Sequence, residues 1–143
     1  MKFINEIFIA RSPEIVFRYV SDIKNIPVWN YAVVKTEMIS TEFVGAGTVY
    51  RQQRKFLGRI LEDTFIISSY QVNSLLTLRS IEAEYPFLVS YSFKPSRQGT
   101  IVINAFELHG RLGDSLLGIL FKGSVKRAVG KNLEVLKGLI EKG

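Results

Sequence analysis

Apolar residues recur at the spacing of an α-helix through the last segment of the chain, residues 112–143. At about 100° per residue they fall within one arc, while charged residues such as Lys131, Glu134 and Lys137 fall opposite. This pattern predicts a long amphipathic helix with one broad apolar face, around which the rest of the chain is expected to fold. The predicted face comprises Phe121, Val125, Ala128, Val129, Asn132, Leu133, Val135, Leu136, Leu139 and Ile140.

Upstream of this helix the apolar period changes to the alternation that is typical of β-strands. Six such segments follow residue 32, and turn residues such as Asn73-Ser74 separate them, which predicts an antiparallel meander. A seventh strand comes first, followed by a short helix that starts at Ser12-Pro13 with an N-cap serine and a proline. A second short helix is expected near residues 26–29. The predicted strands cover residues 2–10, 33–40, 48–56, 60–70, 75–81, 87–95 and 100–109.

This order of elements predicts an α+β fold with a single domain over residues 1–143. We expect a seven-stranded antiparallel curved sheet wrapped around the long C-terminal helix, with two short helices between strands 1 and 2. Hydrophobic residues make up 47% of the 143 residues and charged residues 22%, which suits a globular core and not a disordered chain. A sheet that grips a helix in this way is expected to leave a pocket between them.

Short motifs that follow one another over nearly the whole chain carry a family resemblance. They are residues 12–17 (SPEIVF), 21–29 (SDIKNIPVW), 45–48 (GAGT), 58–64 (GRILEDT), 91–95 (YSFKP), 99–100 (GT) and 106–108 (FEL). In these motifs the chain resembles the helix-grip fold of the START/Bet v 1-like (SRPBCC) superfamily and, within it, the polyketide cyclase/dehydrase and lipid-transport family. The resemblance implies binding or transport of a hydrophobic small molecule, lipid-like or polycyclic, in a cavity between the sheet and the C-terminal helix.

Strand alternation predicts which polar side chains face that cavity. If Glu107 faces solvent, then Asn104 and Phe106 face the helix, and a buried amide without a partner costs about 1–3 kcal/mol. The same reasoning predicts that Tyr91 faces inward. Tyr50, Gln52 and Asp63 could also face inward, but the sequence does not give the register of their strands. The alternative is an internal hydrogen-bond network without a ligand, and Trp29 could equally anchor the core. The predicted ligand-binding residues are Trp29, Tyr50, Tyr91, Asn104, Phe106, Phe121, Val125 and Val129.

Residues with catalytic chemistry are few. The alternative function is a cofactor-independent enzyme of the polyketide cyclase/dehydratase type, for which Tyr91 and Asp63 are the candidates, and a tyrosine with a pKa near 10 is a poor base. His109 is the single histidine and the chain has no cysteine, so we expect no metal site. No cofactor motif is present, and we expect no cofactor.

The net charge of +6 comes mostly from residues 51–59 and from the outer face of the last helix. It is compatible with a solvated face, and without a recognition motif we expect no nucleic-acid partner. No window approaches the ~20 apolar residues of a membrane span, and the first residues lack the apolar run of a signal peptide. We therefore expect a cytoplasmic protein.

Two surfaces suggest macromolecular contacts. Residues 115–121 are apolar nearly all round and are followed by Lys122, Lys126 and Arg127, a juxtaposition typical of a surface that touches anionic membrane. We predict that this turn forms a movable rim of the pocket together with the 45–48 loop; the alternative is a helix start buried under loops. A homodimer is indicated by Ile101, Ile103 and Ala105, which are predicted to face outward, and by the outward glycines Gly123, Gly130 and Gly138.

Overall fold

One strand and two short helices precede six strands and a long C-terminal helix in the computed structural model. The structure describes residues 1–40, 43–110 and 116–143, and of Leu117 only the backbone. The strands are β1 (Lys2–Ile9), β2 (Val33–Met38), β3 (Val49–Phe56), β4 (Arg59–Gln71), β5 (Leu75–Glu82), β6 (Phe87–Ser96) and β7 (Gly99–Leu108). The helices are α1 (Pro13–Ser21), α2 (Ile26–Trp29) and α3 (Leu116–Lys142), with a 3₁₀ turn (Ile23–Asn25) before α2.

All seven strands belong to one antiparallel sheet in the order β1-β7-β6-β5-β4-β3-β2. Strands β2 to β7 pair with their neighbours along the chain, as a meander does, while β1 pairs with β7 from Lys2↔Glu107 to Ile9↔Thr100. The predicted helix-grip fold class is confirmed, and the predicted strand ends agree with the observed ones within two residues. The part of the last helix predicted at residues 112–115 lies outside the described residues.

Helix α1 begins where its sequence signals place it. Ser12 adopts an extended N-cap conformation, and its Oγ accepts a hydrogen bond of 3.4 Å from the Ile15 amide. Pro13 occupies the first turn, where it has no hydrogen bond to lose. Val16 and Val20 on the inner face are buried, so this short helix is held by packing on the sheet.

The apolar face of α3 packs into the core over its second half only. Leu133, Leu136 and Ile140 are buried, whereas Val125 and Val129 in the first half are only half-buried. The C-terminal end is tied to the sheet, since the Ala10 amide donates to the Glu141 carboxylate at 2.8 Å and Lys137 Nζ donates to the Phe8 carbonyl at 2.6 Å. The first half of the helix therefore leaves its apolar face only partly covered by the sheet.

Two of the features that indicated a dimer have different surroundings from those expected. A Cβ on Gly130 would lie 3.4 Å from Asn5 Oδ1 of β1, and Asn5 Nδ2 donates to the Lys126 carbonyl at 3.1 Å. This glycine therefore permits close approach of helix to strand within one chain. Ile101 and Ile103 on the outer side of β7 are half-buried, and a contact of that face with a second copy stays a prediction.

Gly99 offers a test of the packing between β7 and the end of β1. A Cβ there would overlap the Ile9 carbonyl oxygen and lie 2.6 Å from the Phe8 ring, so Gly99→Ala should lower the free energy of unfolding by about 1–3 kcal/mol. At Gly138 a Cβ would meet no atom within 4 Å, and because alanine favours helix, Gly138→Ala should raise it by up to about 1 kcal/mol. Urea denaturation of both variants checks this, and similar changes in the two would contradict the packing.

Candidate ligand-binding cavity

A cavity of ≈ 350 Å³ lies between the first half of α3 and the sheet. Its volume falls within the range of small-molecule sites, and apolar side chains supply most of its wall. The sheet contributes Phe65, Leu78, Phe87, Val89 and Phe106, and the helix contributes Val125, Ala128 and Val129. The mouth reaches the surface between the exposed Ser124 and Ala128 of α3 and the exposed Leu57 in the β3–β4 turn.

The cavity contains one buried ion pair, between Arg54 of β3 and Asp63 of β4. The Arg54 Nε–H donates to Asp63 Oδ2, and the two side chains are only 10% and 0% exposed. Gln52 Nε2 donates to the same oxygen at 3.3 Å, and Arg54 Nη2 donates to the Tyr85 carbonyl at 3.1 Å. The register explains this grouping, because Gln52 stands opposite Asp63 and Arg54 lies two residues further along the same face of β3.

Only part of that polar group faces the cavity. Arg54 and Gln52 line it, whereas Asp63 does not. The guanidinium also lies 5.3 Å from the ring centroids of both Phe56 and Phe87, a cation–π arrangement. Its Nη1 makes no hydrogen bond to the described residues, and neither does the buried Asp63 Oδ1. Arg54 therefore keeps donor capacity at the cavity wall.

A second polar group lies further along the sheet, around Tyr91 of β6. Tyr91 lines the cavity, and burial raises the pKa of its hydroxyl, so that it stays a neutral donor at physiological pH. The Trp29 ring contacts it edge-on with centroids 6.0 Å apart, and Asn104 is its partner in β7. Trp29 Nε1 and Asn104 Oδ1 have no hydrogen-bond partner among the described residues, although Asn104 Nδ2 donates to the Ser90 carbonyl at 3.5 Å.

A pair of asparagines joins α2 to α3 beside the cavity. Asn132 Nδ2 donates to Asn30 Oδ1 at 3.0 Å, and Asn132 Oδ1 accepts from the Tyr31 amide at 3.4 Å. Both asparagines line the cavity. Their bridge marks the point beyond which the helix packs into the core.

The predicted ligand-binding residues are only partly brought together. Tyr91, Phe106, Val125 and Val129 line the cavity. Trp29 and Asn104 are buried next to Tyr91 without lining the cavity. Phe121 is 41% exposed and lies outside the lining, because it precedes the stretch of α3 that covers the cavity. The remaining predicted residue is Tyr50, which faces a different cavity.

This second cavity, of ≈ 530 Å³, lies between the α1 end and strands β2 and β3. Burial, with smaller contributions from Asp22 and Tyr70, raises the pKa of Tyr50 on its wall. Although it is the larger space, the exposed charged side chains of Arg18 and Lys24 border it and α3 supplies none of its wall. An apolar ligand is better accommodated by the cavity under α3.

The 45–48 loop does not form part of the rim of the α3 cavity, contrary to the sequence-based expectation. It precedes β3, whereas the mouth borders the opposite end of that strand at Lys55 and Leu57. The Gly47 amide donates to the Ile67 carbonyl at 2.8 Å, and the neighbouring Val44 lines the second cavity. The turn that borders this cavity is the one between β3 and β4, through Leu57.

Sequence reasoning missed Arg54. We attributed the basic residues 51–59 to a solvated face, whereas Arg54 points inward and Arg51 and Arg59 pair with surface carboxylates. The sequence did contain evidence for this orientation. Arg54 follows Tyr50 and Gln52 at intervals of two, which places all three side chains on the same face of the strand. Its partner Asp63 could not be assigned without the β3–β4 register.

The described residues contain no group of three or more histidines and acids that could hold a metal ion. Within the same part of the chain, no helix has both the length and the apolar character needed to cross a membrane.

The sequence profile of the family described as "Polyketide cyclase / dehydrase and lipid transport" matches residues 1–141. The chain belongs to this family. Among solved structures, a START superfamily protein from Mycobacterium smegmatis superposes on this family member with a TM-score of 0.83 at 14% identity, covering 99% of this chain and 97% of that one. No curated protein matches the chain.

Two further structures share the fold of this polyketide cyclase/dehydrase and lipid-transport family member. The Zhui aromatase/cyclase from Streptomyces sp. R1128 gives a TM-score of 0.77 at 14% identity, over 99% of this chain and 94% of that one. A protein from Thermus thermophilus gives 0.76 at 20% identity, over 99% and 95%. At these identities the likeness establishes the fold.

The buried ion pair makes a prediction for stability. Arg54→Met should lower the free energy of unfolding by about 3–5 kcal/mol, because it leaves the Asp63 carboxylate buried without its charge partner. Adding Asp63→Leu should recover most of that loss, since an apolar pair carries no uncompensated charge. Chemical denaturation of the single and double variants measures the coupling, and additive losses would contradict it.

Proposed function

We propose that this family member binds a hydrophobic small molecule, lipid-like or polycyclic, in the cavity under α3. The observation that carries the proposal is the unfilled space between the half-buried Val125 and Val129 and the aromatic wall of the sheet. Burying these apolar surfaces against a ligand is favourable at roughly 25 cal/mol per Å². The family description, which includes lipid transport, and the fold shared with a START superfamily protein support this assignment.

The polar groups on the wall favour a ligand with a hydrogen-bond acceptor. Arg54 Nη1 and the Tyr91 hydroxyl are donors on the cavity wall, from strands β3 and β6, without partners among the described residues. Because Asp63 already balances the charge of Arg54, an uncharged acceptor such as a ketone or phenol suits the site better than a second carboxylate. We therefore expect a mostly apolar ligand with one or two oxygen atoms.

Filling the cavity should abolish binding. Val129→Trp places an indole where the ligand would lie and should weaken the binding of an uncharged fluorescent apolar probe, Nile red, at least about tenfold. Leu139→Trp is the matched control, because Leu139 is on the same helix, partly exposed, and outside the lining. Fluorescence titration and native mass spectrometry of the purified protein measure both. Failure of the wild type to bind any apolar probe would contradict the proposal.

The second candidate function is a cofactor-independent cyclase or dehydratase, favoured by the fold shared with an aromatase/cyclase and by the neutral Tyr91 hydroxyl. With its pKa raised by burial, Tyr91 would serve as a hydrogen-bond donor or acid toward a substrate carbonyl and not as a base. If the protein is such an enzyme, Tyr91→Phe should reduce turnover of an aromatic polyketide precursor about 10²-fold or more while leaving its binding within a few fold. Product analysis by mass spectrometry, with binding measured in parallel, separates the two functions.

A further inference from the structure

The turn between β3 and β4 carries a leucine in a conformation that suits other residues better. Phe56 pairs with Arg59, so Leu57 and Gly58 form a two-residue turn with φ of +52° and +76°. Positive φ at both positions is the type I′ geometry, for which asparagine followed by glycine is preferred. A bulky apolar side chain is disfavoured there, and Leu57 is also 55% exposed. Neither turn geometry nor core packing accounts for this leucine.

The start of α3, on the helix side of the cavity mouth, is also apolar and exposed. Leu116, Ile119 and Leu120 in the first turns of α3 are each at least 70% exposed. Leu120, Ser124 and Arg127 follow at intervals of four and three, which places them along one face of the helix, and Ser124 lines the cavity. The start of α3 and the β3–β4 turn lie at the same end of the sheet, since β3 and β7 run in the same direction.

Cations follow these apolar residues along α3, and the described residues give them no carboxylate partner. Residues 116–131 of α3 contain four cations and no acid. Lys55 of β3, on the other side of the mouth, is the fifth cation. Among the described residues none of the five forms a salt bridge, whereas Arg51 and Arg59 nearby do. The helix cations are Lys122, Lys126, Arg127 and Lys131.

We propose that this mouth surface, formed by Leu57, Leu116, Ile119, Leu120 and the five cations, docks on an anionic lipid bilayer. Apolar side chains flanked by unpaired lysine and arginine are what a negatively charged lipid interface accommodates. With Leu57 and Leu120 inserted, the cavity mouth between them opens onto the lipid, so an apolar ligand passes between bilayer and cavity without crossing water. The proposal rests on the proposed binding function and adds its partner surface.

Vesicle flotation with phosphatidylcholine, with and without phosphatidylserine, tests the docking. The wild type should bind only the vesicles that contain phosphatidylserine, and high salt should release it. Arg127→Glu should weaken binding about fivefold or more, and Leu120→Asp about tenfold. Leu57→Asn should weaken binding about tenfold and at the same time raise the thermal midpoint, because asparagine suits the turn. If Leu57 only stabilised the fold, Leu57→Asn would not weaken vesicle binding while raising the thermal midpoint.

The matched controls lie at the other end of the sheet. Val72 is 68% exposed beside the β4–β5 turn, and Lys94 is exposed near the end of β6 with no salt bridge to the described residues. Val72→Asp and Lys94→Glu should leave vesicle binding unchanged. Equal losses in these controls would show that binding follows net charge alone and would overturn the proposal.

Three other results would also overturn it: no binding of the wild type to anionic vesicles, no effect of Leu57→Asn, or a wild-type dimer that Leu120→Asp converts to a monomer in light scattering. The last would assign the patch to a second copy of the chain. Binding of Nile red in vesicle-free buffer keeps the two proposals distinct. Leu120 lies outside the lining, so Leu120→Asp should retain dye binding. A wild type that binds the dye but not anionic vesicles contradicts docking and leaves the ligand-binding proposal intact.

Discussion

The rest of the structure depends on how far along its length the C-terminal helix packs against the sheet. Leu133, Leu136 and Ile140 are buried, and each fully buried side chain of this kind contributes roughly 1.5–3 kcal/mol. The Asn30–Asn132 bridge marks the end of that packed half. Towards the start of the helix, a space remains between the half-buried Val125 and Val129 and the aromatic wall of the sheet, and this space is the cavity. The same helix therefore stabilises the fold with one half and forms the wall of the candidate site with the other.

The second constraint is the ion pair that the cavity wall contains. Placing Arg54 and Asp63 in an apolar interior costs solvation that the pair recovers only through close geometry and extra hydrogen bonds, which Gln52 and the Tyr85 carbonyl provide. An apolar pair would serve stability as well. The pair fits a different role, since it presents a fixed donor, Arg54, to a cavity that is otherwise lined by Phe65, Phe87 and other apolar side chains.

Most of the fold follows from local patterns. Period-two alternation separated by turn residues locates the strands, and it correctly turns Tyr91 and Asn104 inward. Alternation does not say which cavity an inward residue meets, because that depends on the curvature of the sheet and the position of the helix. Tyr50 lines the cavity beside α1, and Phe121 lies one turn before the stretch of α3 that lines the other cavity. Arg54 was missed because charged residues in a basic run are usually solvated, and only the register reveals its partner.

The position of Asp63 bears on whether the site binds or catalyses. A carboxylate acts as a general base when it can reach the substrate proton directly or through one water. Asp63 does not line the cavity, and Gln52 and Arg54 both donate to its Oδ2. To approach a substrate it would have to leave Arg54, and separating a buried pair costs about 3–5 kcal/mol. Tyr91 faces the cavity but holds its proton. The described lining residues therefore include the donors Arg54 and Tyr91 and no carboxylate, which is the donor set that the proposed oxygen-bearing apolar ligand requires.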